Sequence, residues 1–344
     1  MKIAFTPHVE HYTIGMLNEL KKNHIVILIS DKKYNIDGIR FLFLPKTRLP
    51  YINLFTRSIF LEKIASCLEY DVFHVNSAID GCSISNFEKI ILTEHGYPNI
   101  WVETFSKKPY YIKEMKCLEV LYSIGVPIIA ISNYTSTMLY KYLGVKATKV
   151  IYHGLLDEFR VNVPRVPRKR HVLLWIGRFV PAKEPEVFLH ALKLVRGRKL
   201  FKVIIRGDGP LRFKILKLVK KMGLENKVRF LKRMPFYDVI KLYRIASIYV
   251  HTASAEPFGF SVLEAMGSGL PVIVPRAGGA YEVAGPQSLT FYPGDSFDLA
   301  DKIESLIDDE EEYYKQSKRS IERAKYFCWG KTVKEYIEVY KKIL

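Results

Sequence analysis

The sequence predicts an α/β protein of two domains, each built on a parallel sheet. Three observations carry this. Short apolar runs of strand length alternate with amphipathic stretches of helix length along the chain, the pattern of parallel strands joined by crossover helices. Twelve such strands crowd a single sheet. The 344 residues also exceed the ~250–300 at which one core stops growing.

The elements follow in order. KIAFT (2–6) is an apolar strand, 12–22 a helix, and HIVILIS (24–30) and RFLFL (40–44) are further strands. A helix over 56–69 leads to the strands DVFHV (71–75), KIILT (89–93) and PIIAIS (127–132). A helix over 134–143 and the strand KVIYH (149–153) close the first half. RVNVPRVPRKR (160–170) has two prolines, no helical period and a run of charge, and is expected to link the halves. The second half alternates the strands HVLLWIG (171–177), FKVIIRG (201–207), KVRFL (227–231), ASIYVH (246–251) and PVIVP (271–275) with helices over 184–196, 211–222, 236–245 and 260–267. Helices over 297–308 and 311–326 follow. No solenoid repeat or low-complexity tract is present.

Composition excludes several classes. With 49% hydrophobic and 26% charged residues, the chain is neither disordered nor collagen-like. No apolar run approaches the ~20 residues of a membrane span. MKIAFTPHVE lacks the apolar core of a signal peptide, so the expected location is cytoplasmic. Cys67, Cys82, Cys117 and Cys328 are widely spaced and read as reduced, buried thiols, with no zinc site. Two glutamines among many Lys, Glu, Ile and Tyr hint at a thermophilic source.

The net charge of +18 is concentrated. Residues 161–245 hold 23 Lys/Arg against 5 Asp/Glu, a net of +18 that the flanks, at +4 and −4, leave unchanged. Such a stretch suits a nucleic acid, a membrane surface or a phosphorylated ligand, or is a solvated face that aids solubility.

The segment SAEPFGFSVLEAMGSGLPVIVPRAGGAYEVAG (254–285) reads as loop, helix, loop, strand, glycine loop and helix start. Pro257 and Gly259 shape the loop before a helix from about Phe260, whose first N–H groups can hold a phosphate. Gly267 and Gly269 stop that helix, and Ala277-Gly278-Gly279 lets backbone approach a ligand closely. Glu256 in the loop and Glu264 on the helix both have the reach to face one ligand.

E-P-F-G-x-x-x-L-E-A-M-x-x-G-x-P-V-I followed by A-G-G-x-x-E resembles the signature of family 4 glycosyltransferases, retaining enzymes of the GT-B fold. That fold is two Rossmann-like α/β domains facing across a cleft. The resemblance implies that Glu256 lies near the donor sugar and that Glu264 accepts hydrogen bonds from the ribose hydroxyls. It also implies that the backbone of Phe258, Gly259 and Phe260 meets the phosphates and sugar.

Other segments match in the family's order. LLWIGRFVPAKEPEVFLHAL (173–192) resembles its G-R-x-x-x-x-K: Gly177 ends a strand, and Arg178 and Lys183 are cations able to neutralise a diphosphate leaving group. VIIRGDGPLR (203–212) resembles its G-x-G-P turn, with Gly207 and Gly209 shaping the nucleotide cleft. It lacks the third glycine of a dinucleotide fingerprint. RFLKRMPFYDVIKLYRIASIYVHTA (229–253) resembles the segment that reaches the base, through Lys232 and Arg233, while 237–244 is expected to be an ordinary packed helix.

The first half matches more loosely. EYDVFHVNS (69–77) resembles the family's D-V-I-H strand and LTEHGYP (92–98) its T-x-H-G, placing His95 against either the donor sugar or the acceptor. His74 is expected to be a packed strand residue. In KVIYHGLLDEF (149–159), His153 stands where the family has asparagine. The Gly-Gly loop after the first strand is missing: TPHVEHYTIGML (6–17) has only Gly15, which leaves His8 and His11 without a family role. The tail 327–344 resembles a terminal helix that crosses back onto the first domain.

The resemblance divides the chain into an acceptor-side domain, 1–160, and a nucleotide-sugar-binding domain, 161–326. It implies transfer of a sugar from a nucleoside diphosphate to an acceptor hydroxyl with anomeric retention. Glu256 is a candidate nucleophile by resemblance alone. A same-face route, with the leaving phosphate taking the acceptor proton, needs no protein base. No D-x-D pair is present, so neither metal nor other cofactor is expected. The acceptor is a glycan, a lipid-linked molecule or a small molecule. The aromatic and basic stretches 48–60 and 105–116 are read as acceptor or membrane-facing surfaces or, equally, as core helices with basic rims. The basic helix over 211–222 is expected to dock its apolar face on its own sheet, with peripheral contact with the inner face of a membrane as the alternative. Rival readings are a nucleic-acid-binding protein using 161–245, a GT-B epimerase or phosphorylase, and a non-catalytic sugar-binding module. The first leaves Glu256 and Glu264 unexplained, and intact Arg178, Lys183, Glu256 and Glu264 argue against the last.

Overall fold

A computed structural model describes the chain except for residues 46–49, 97–107, 169 and 197–200, and gives backbone alone at 50–54 and 108. The segments 48–60, 92–98, 105–116 and 160–170 therefore lie in part outside the described residues. The described chain divides into two units: Met1–Gly154 with Phe327–Leu344, and Leu155–Tyr326.

The first unit runs β1 (Lys2–Phe5), α1 (Glu10–Leu20), β2 (Ile25–Ser30), β3 (Arg40–Phe43), α2 (Pro50–Cys67), β4 (Val72–Val75) and α3 (Ala78–Gly81). It continues with β5 (Ile90–Glu94), α4 (Lys108–Ser123), β6 (Ile128–Ala130), α5 (Asn133–Leu143) and β7 (Lys149–Val150). Among the described residues its strands form one parallel sheet in the order β3-β2-β1-β4-β5-β6-β7. β4, β5 and β6 are buried along their whole length, as their unbroken apolar runs require of central parallel strands. Each fully buried Ile or Leu there, such as Ile91, Leu92 and Ile128, contributes about 1.5–3 kcal/mol relative to exposure. α5 begins at Ser132, whose hydroxyl accepts from the Thr135 N–H, and ends at Gly144 in the left-handed region.

The second unit runs β8 (His171–Ile176), α6 (Pro185–Leu194), β9 (Phe201–Arg206), α7 (Arg212–Lys221), β10 (Val228–Leu231), α8 (Phe236–Ile245) and β11 (Ile248–Val250). Then come α9 (Phe260–Gly267), β12 (Val272–Pro275), α10 (Gly278–Ala284), β13 (Leu289–Phe291), α11 (Ser296–Asp308) and α12 (Glu310–Ala324). Its described strands are parallel in the order β10-β9-β8-β11-β12-β13. Trp175, Phe179, Phe188, Val203, Ile215 and Ile303 fill one core between this sheet and its helices. Asp295 and Asp309 cap α11 and α12 by accepting from the backbone N–H groups two and three residues on.

α13 (Trp329–Tyr340) returns to the first unit and packs on α1. Gly15 makes this possible, because a Cβ there would lie 2.1 Å from the Trp329 indole. Tyr336 and Tyr340 reach the sheet: the Tyr340 hydroxyl is 2.6 Å from His74 Nδ1 and the Tyr336 hydroxyl 2.9 Å from Thr93 Oγ1. His74 is fully buried in this network.

Two expectations change. The boundary falls at Gly154/Leu155, earlier than 160/161, because Leu155 and Phe159 are buried with the second unit beside Gly267. The stretch expected to be a free linker is strapped down. Val161 N–H donates to the Gly267 carbonyl, and Arg165 donates through its backbone to Ser317 Oγ and through its guanidinium to the Ser268 and Arg244 carbonyls. The sequence reading also lacks β13 and α3, elements of three and four residues that are too short to show a period. Its ordered elements set no helix at α4, whose sixteen residues mix apolar and basic positions without a clear face. Of the four cysteines expected to be buried, Cys117 is, Cys82 is half-buried, and Cys67 and Cys328 are exposed. α7 buries Ile215 and Val219 and turns Phe213, Lys214, Leu216, Lys217, Lys220 and Lys221 outward. No described helix is long and apolar enough to cross a membrane.

Candidate active site

The order of the second sheet reverses between β8 and β11, and at such a switch point the loops leaving the strands diverge and open a crevice beyond their carboxyl ends. The predicted site residues occupy the loops at that edge. Gly177, Arg178 and Lys183 follow β8, Gly207 and Gly209 follow β9, Lys232 and Arg233 follow β10, Glu256 to Phe260 follow β11, and Gly278 and Gly279 follow β12.

Lys183 and Glu256 meet directly. The ammonium bonds Glu256 Oε2, and His251 Nε2 lies 3.4 Å from the same oxygen. Burial alone would raise the Glu256 carboxyl. The Lys183 ammonium and the adjoining His251 outweigh it and hold the group well below the usual carboxylate range. The backbone of Lys183 is fixed as well: Trp175 Nε1–H donates to Thr252 Oγ1, and that hydroxyl donates to the Lys183 carbonyl at 2.7 Å. Glu184 adopts φ 47°, in the left-handed region, at a cost of about 1–2 kcal/mol for a residue with a side chain. Its carboxylate accepts from both the backbone N–H and the hydroxyl of Ser254, which ties this bend to the Glu256 loop.

Glu264 lies one helix turn into α9 and is 5% exposed. Its Oε2 accepts from the buried Tyr243 hydroxyl at 2.7 Å. Burial and the Glu264 charge push the Tyr243 phenol well above its ordinary range, so it remains a donor. Arg206, at the end of β9, is half-buried near this pair, and its pKa is lowered first by burial and also by Arg233. Arg178, Lys232 and Arg233 are exposed.

The glycines serve the packing of loop against loop. A Cβ on Gly279 would lie 2.1 Å from the Pro257 carbonyl oxygen, and one on Gly207 would lie 2.0 Å from the Gly177 carbonyl oxygen. Gly279 N–H donates to the Glu256 carbonyl at 2.6 Å. Gly278 has φ 73° and sits against the backbone of Ser254 and Glu256. These contacts set the height of the Glu256 loop above α10. Phe258 buries its side chain and Gly259 turns the backbone into α9 at φ 98°.

His95 belongs to the first unit. It follows β5, its Nε2 lies 2.8 Å from Asn76 Oδ1, and its ring stacks on that of His8 with centroids 3.7 Å apart. The sequence reading missed His251, Glu184, Ser254 and Tyr243. His251 had one signal, a histidine at a strand end five residues before Glu256. Nothing in sequence ties Tyr243 to Glu264, because their contact is made across two packed helices.

Residues 158–325 match a family model described as glycosyl transferases group 1. An uncharacterized glycosyltransferase of Methanocaldococcus jannaschii is 31% identical over 255 residues, covering 74% of this chain and 68% of the relative. The chain spans 53% and 43% of the length of two other curated relatives that it matches. The sucrose-phosphate synthase of Thermosynechococcus elongatus superposes with a TM-score of 0.83 at 19% identity, covering 99% of this chain and 98% of that one. HepE of Anabaena, solved with UDP and glucose, superposes with a TM-score of 0.76 at 19% identity, covering 99% and 100%. The fold of the two units is thus the GT-B fold of two Rossmann-like domains.

Proposed function

The chain belongs to the group 1 glycosyl transferases, and from that premise we propose that it moves a sugar from a nucleoside diphosphate to an acceptor hydroxyl with retention at the anomeric carbon. The observation that carries the reading is the Lys183–Glu256 pair at the switch point of the second sheet, beside the Glu264–Tyr243 pair. The second unit is the donor side. Glu264 takes the ribose hydroxyls, Lys232 and Arg233 border the base, and the backbone at Phe258–Phe260 and Gly278–Gly279 meets the phosphates. Arg178 and Lys183 face the negative charge that builds on the diphosphate as the glycosidic bond breaks. Lys183 then exchanges Glu256 for phosphate, and His251 keeps Glu256 in place beside the sugar. This cation pair does the work a metal does elsewhere, so chelation by EDTA should leave turnover unchanged. The anomeric configuration of the product, read by NMR, tests retention.

The first unit is the acceptor side, with His95 at its edge. A glycan or lipid-linked acceptor suits this reading. The outward lysines of α7, with Phe213 at 80% exposure, support peripheral contact with anionic lipid on the cytoplasmic face.

Thermal shift against UDP, GDP, ADP, CMP and dTDP, on wild type and Glu264→Ala, tests the donor site. A nucleotide at ~100 times its dissociation constant adds ~2.7 kcal/mol to the folded state. One diphosphate should shift the wild type and shift the variant less. No shift with any nucleotide, in a folded sample, overturns the donor-site reading.

A further inference from the structure

In the first unit the strand order reverses between β1 and β4. Thr6 follows β1, Asn76 follows β4 and His95 follows β5, so all three stand at the carboxyl edge beside that reversal. Asn76 is held by Thr6 twice. Its backbone N–H donates to Thr6 Oγ1 at 3.1 Å, and its Nδ2 donates to the Thr6 carbonyl. A carbonyl cannot donate, so the amide nitrogen must face Thr6 and Oδ1 must face away. Oδ1 is the atom 2.8 Å from His95 Nε2. An amide oxygen only accepts, so Nε2 carries the proton. In a neutral imidazole the other nitrogen is then a bare acceptor.

His95 is neutral: burial foremost, then His8, His153 and His74, drive its pKa well below the ordinary histidine range. Nδ1 finds no hydrogen-bond partner among the described residues and is screened from water, although the side chain as a whole is only half-buried. A buried acceptor without a donor costs free energy, which a ligand hydroxyl would return.

We propose that Asn76 is a positioning residue that locks His95 as the Nε2–H tautomer, and that the Nδ1 lone pair receives a hydroxyl proton of a bound polyol. This rests on reading the first unit as the acceptor side. It makes His95 an acceptor that orients a hydroxyl, and it selects ligands that carry a donor at that position. A methyl ether or deoxy analogue lacks the proton and loses the bond.

The test uses the full chain labelled with 15N-histidine, at neutral pH, with two-bond proton–nitrogen correlation spectra. The His95 signal is assigned by its loss in His95→Gln. The wild type should show a protonated Nε2 and a bare Nδ1. Glycerol, as the smallest polyol probe, should move the Nδ1 resonance upfield in a saturable way. Asn76→Ala should mix the tautomers and weaken the glycerol response about tenfold. Asn76→Asp, which still offers an oxygen to Nε2–H, should restore the single tautomer. A wild-type spectrum with Nδ1–H, a tautomer unmoved in both variants, or an Nδ1 resonance indifferent to glycerol each overturns the inference. The wild-type spectrum decides even where a variant fails to fold. Nucleotide binding to the second unit is independent of Asn76 and His95, so failure of the donor reading shows up separately.

Discussion

Lys183 and Glu256, 73 residues apart in sequence, form an ion pair whose carboxylate is the more deeply seated partner, with side-chain exposures of 25% and 15%. The pair is therefore asymmetric. Glu256 depends on Lys183 for its charge, while Lys183 has a path to water and to a ligand. Lys183→Met should destabilise the second unit by about 2 kcal/mol, below the full cost of breaking a buried pair because both groups keep some exposure. Pairing it with Glu256→Gln should restore part of that loss, since no carboxylate is then stranded. Urea unfolding of the single and double variants measures the coupling. The single variant should also bind a nucleoside diphosphate at least tenfold more weakly, with a smaller effect on the monophosphate, as calorimetry would show.

Tyr243 gives Glu264 a donor from inside the unit. Tyr243→Phe removes only that hydroxyl and should cost about 1–3 kcal/mol in stability, because the buried carboxylate is left short of a partner. Without that bond Glu264 should also discriminate less between ribose and deoxyribose. We expect the wild type to prefer the nucleoside diphosphate that shifts it over its 2′-deoxy form by about tenfold and the variant to lose most of that preference. Equal dissociation constants for the two nucleotides in the wild type would remove Glu264 from the ribose.

Gly279 lets two backbones touch. In Gly279→Ala the new methyl would lie 2.1 Å from the Pro257 carbonyl oxygen, and neither backbone is free to rotate aside. The Glu256 loop must lift, so nucleotide binding should be lost along with several degrees of thermal stability. Gly125→Ala is the control. Gly125 has φ 84° and open space around its Cβ position, so only the strain of about 1 kcal/mol remains, and nucleotide binding should be unaffected.

The alternation of apolar runs made the two sheets legible, because central parallel strands such as β4 and β12 are buried on both faces and read as unbroken hydrophobic segments. The loops of the candidate site were legible for a different reason. Gly279 and Gly207 are required by backbone contact, and Glu256 and Glu264 stand out through the signature they share with a known family, where their bare spacing says nothing. What stayed hidden depends on side chains meeting across elements. His251 beside Glu256, Tyr243 beneath Glu264, and Ser254 on the left-handed Glu184 leave no periodic trace. The strap of 155–165 on the second unit was hidden because its hold comes from carbonyls of α8 and of the turn after α9, which no side-chain pattern announces.

The interior of the first unit sets its response to acid. His74, His95 and His153 are all driven below the ordinary histidine range by burial, His74 to about 3. Their contribution to stability is present above the unfolded value near 6.5 and is lost as the pH falls. Glu94 and Glu114 work the other way. Burial raises both, Glu114 to about 7 despite its bonds to the Ala78 and Ile79 N–H groups, so their contribution is full in acid and is lost as the pH rises towards 7. Between pH 4.5 and 6.5, unfolding then adds protons to these three imidazoles and to His8, which burial lowers to about 4, and removes them from two carboxyls. The imidazoles outnumber the carboxyls, so protons are taken up on balance and the stability of the unit should rise with pH. Glu114→Gln deletes one carboxyl from that balance and should steepen the slope by up to about 1.4 kcal/mol per unit, while His153→Asn should flatten it by a similar amount. Amide exchange in β4 and β5, followed across this range, reports the unit by itself. A slope in Glu114→Gln no steeper than in the wild type would mean that the carboxyl is ionised in the folded chain.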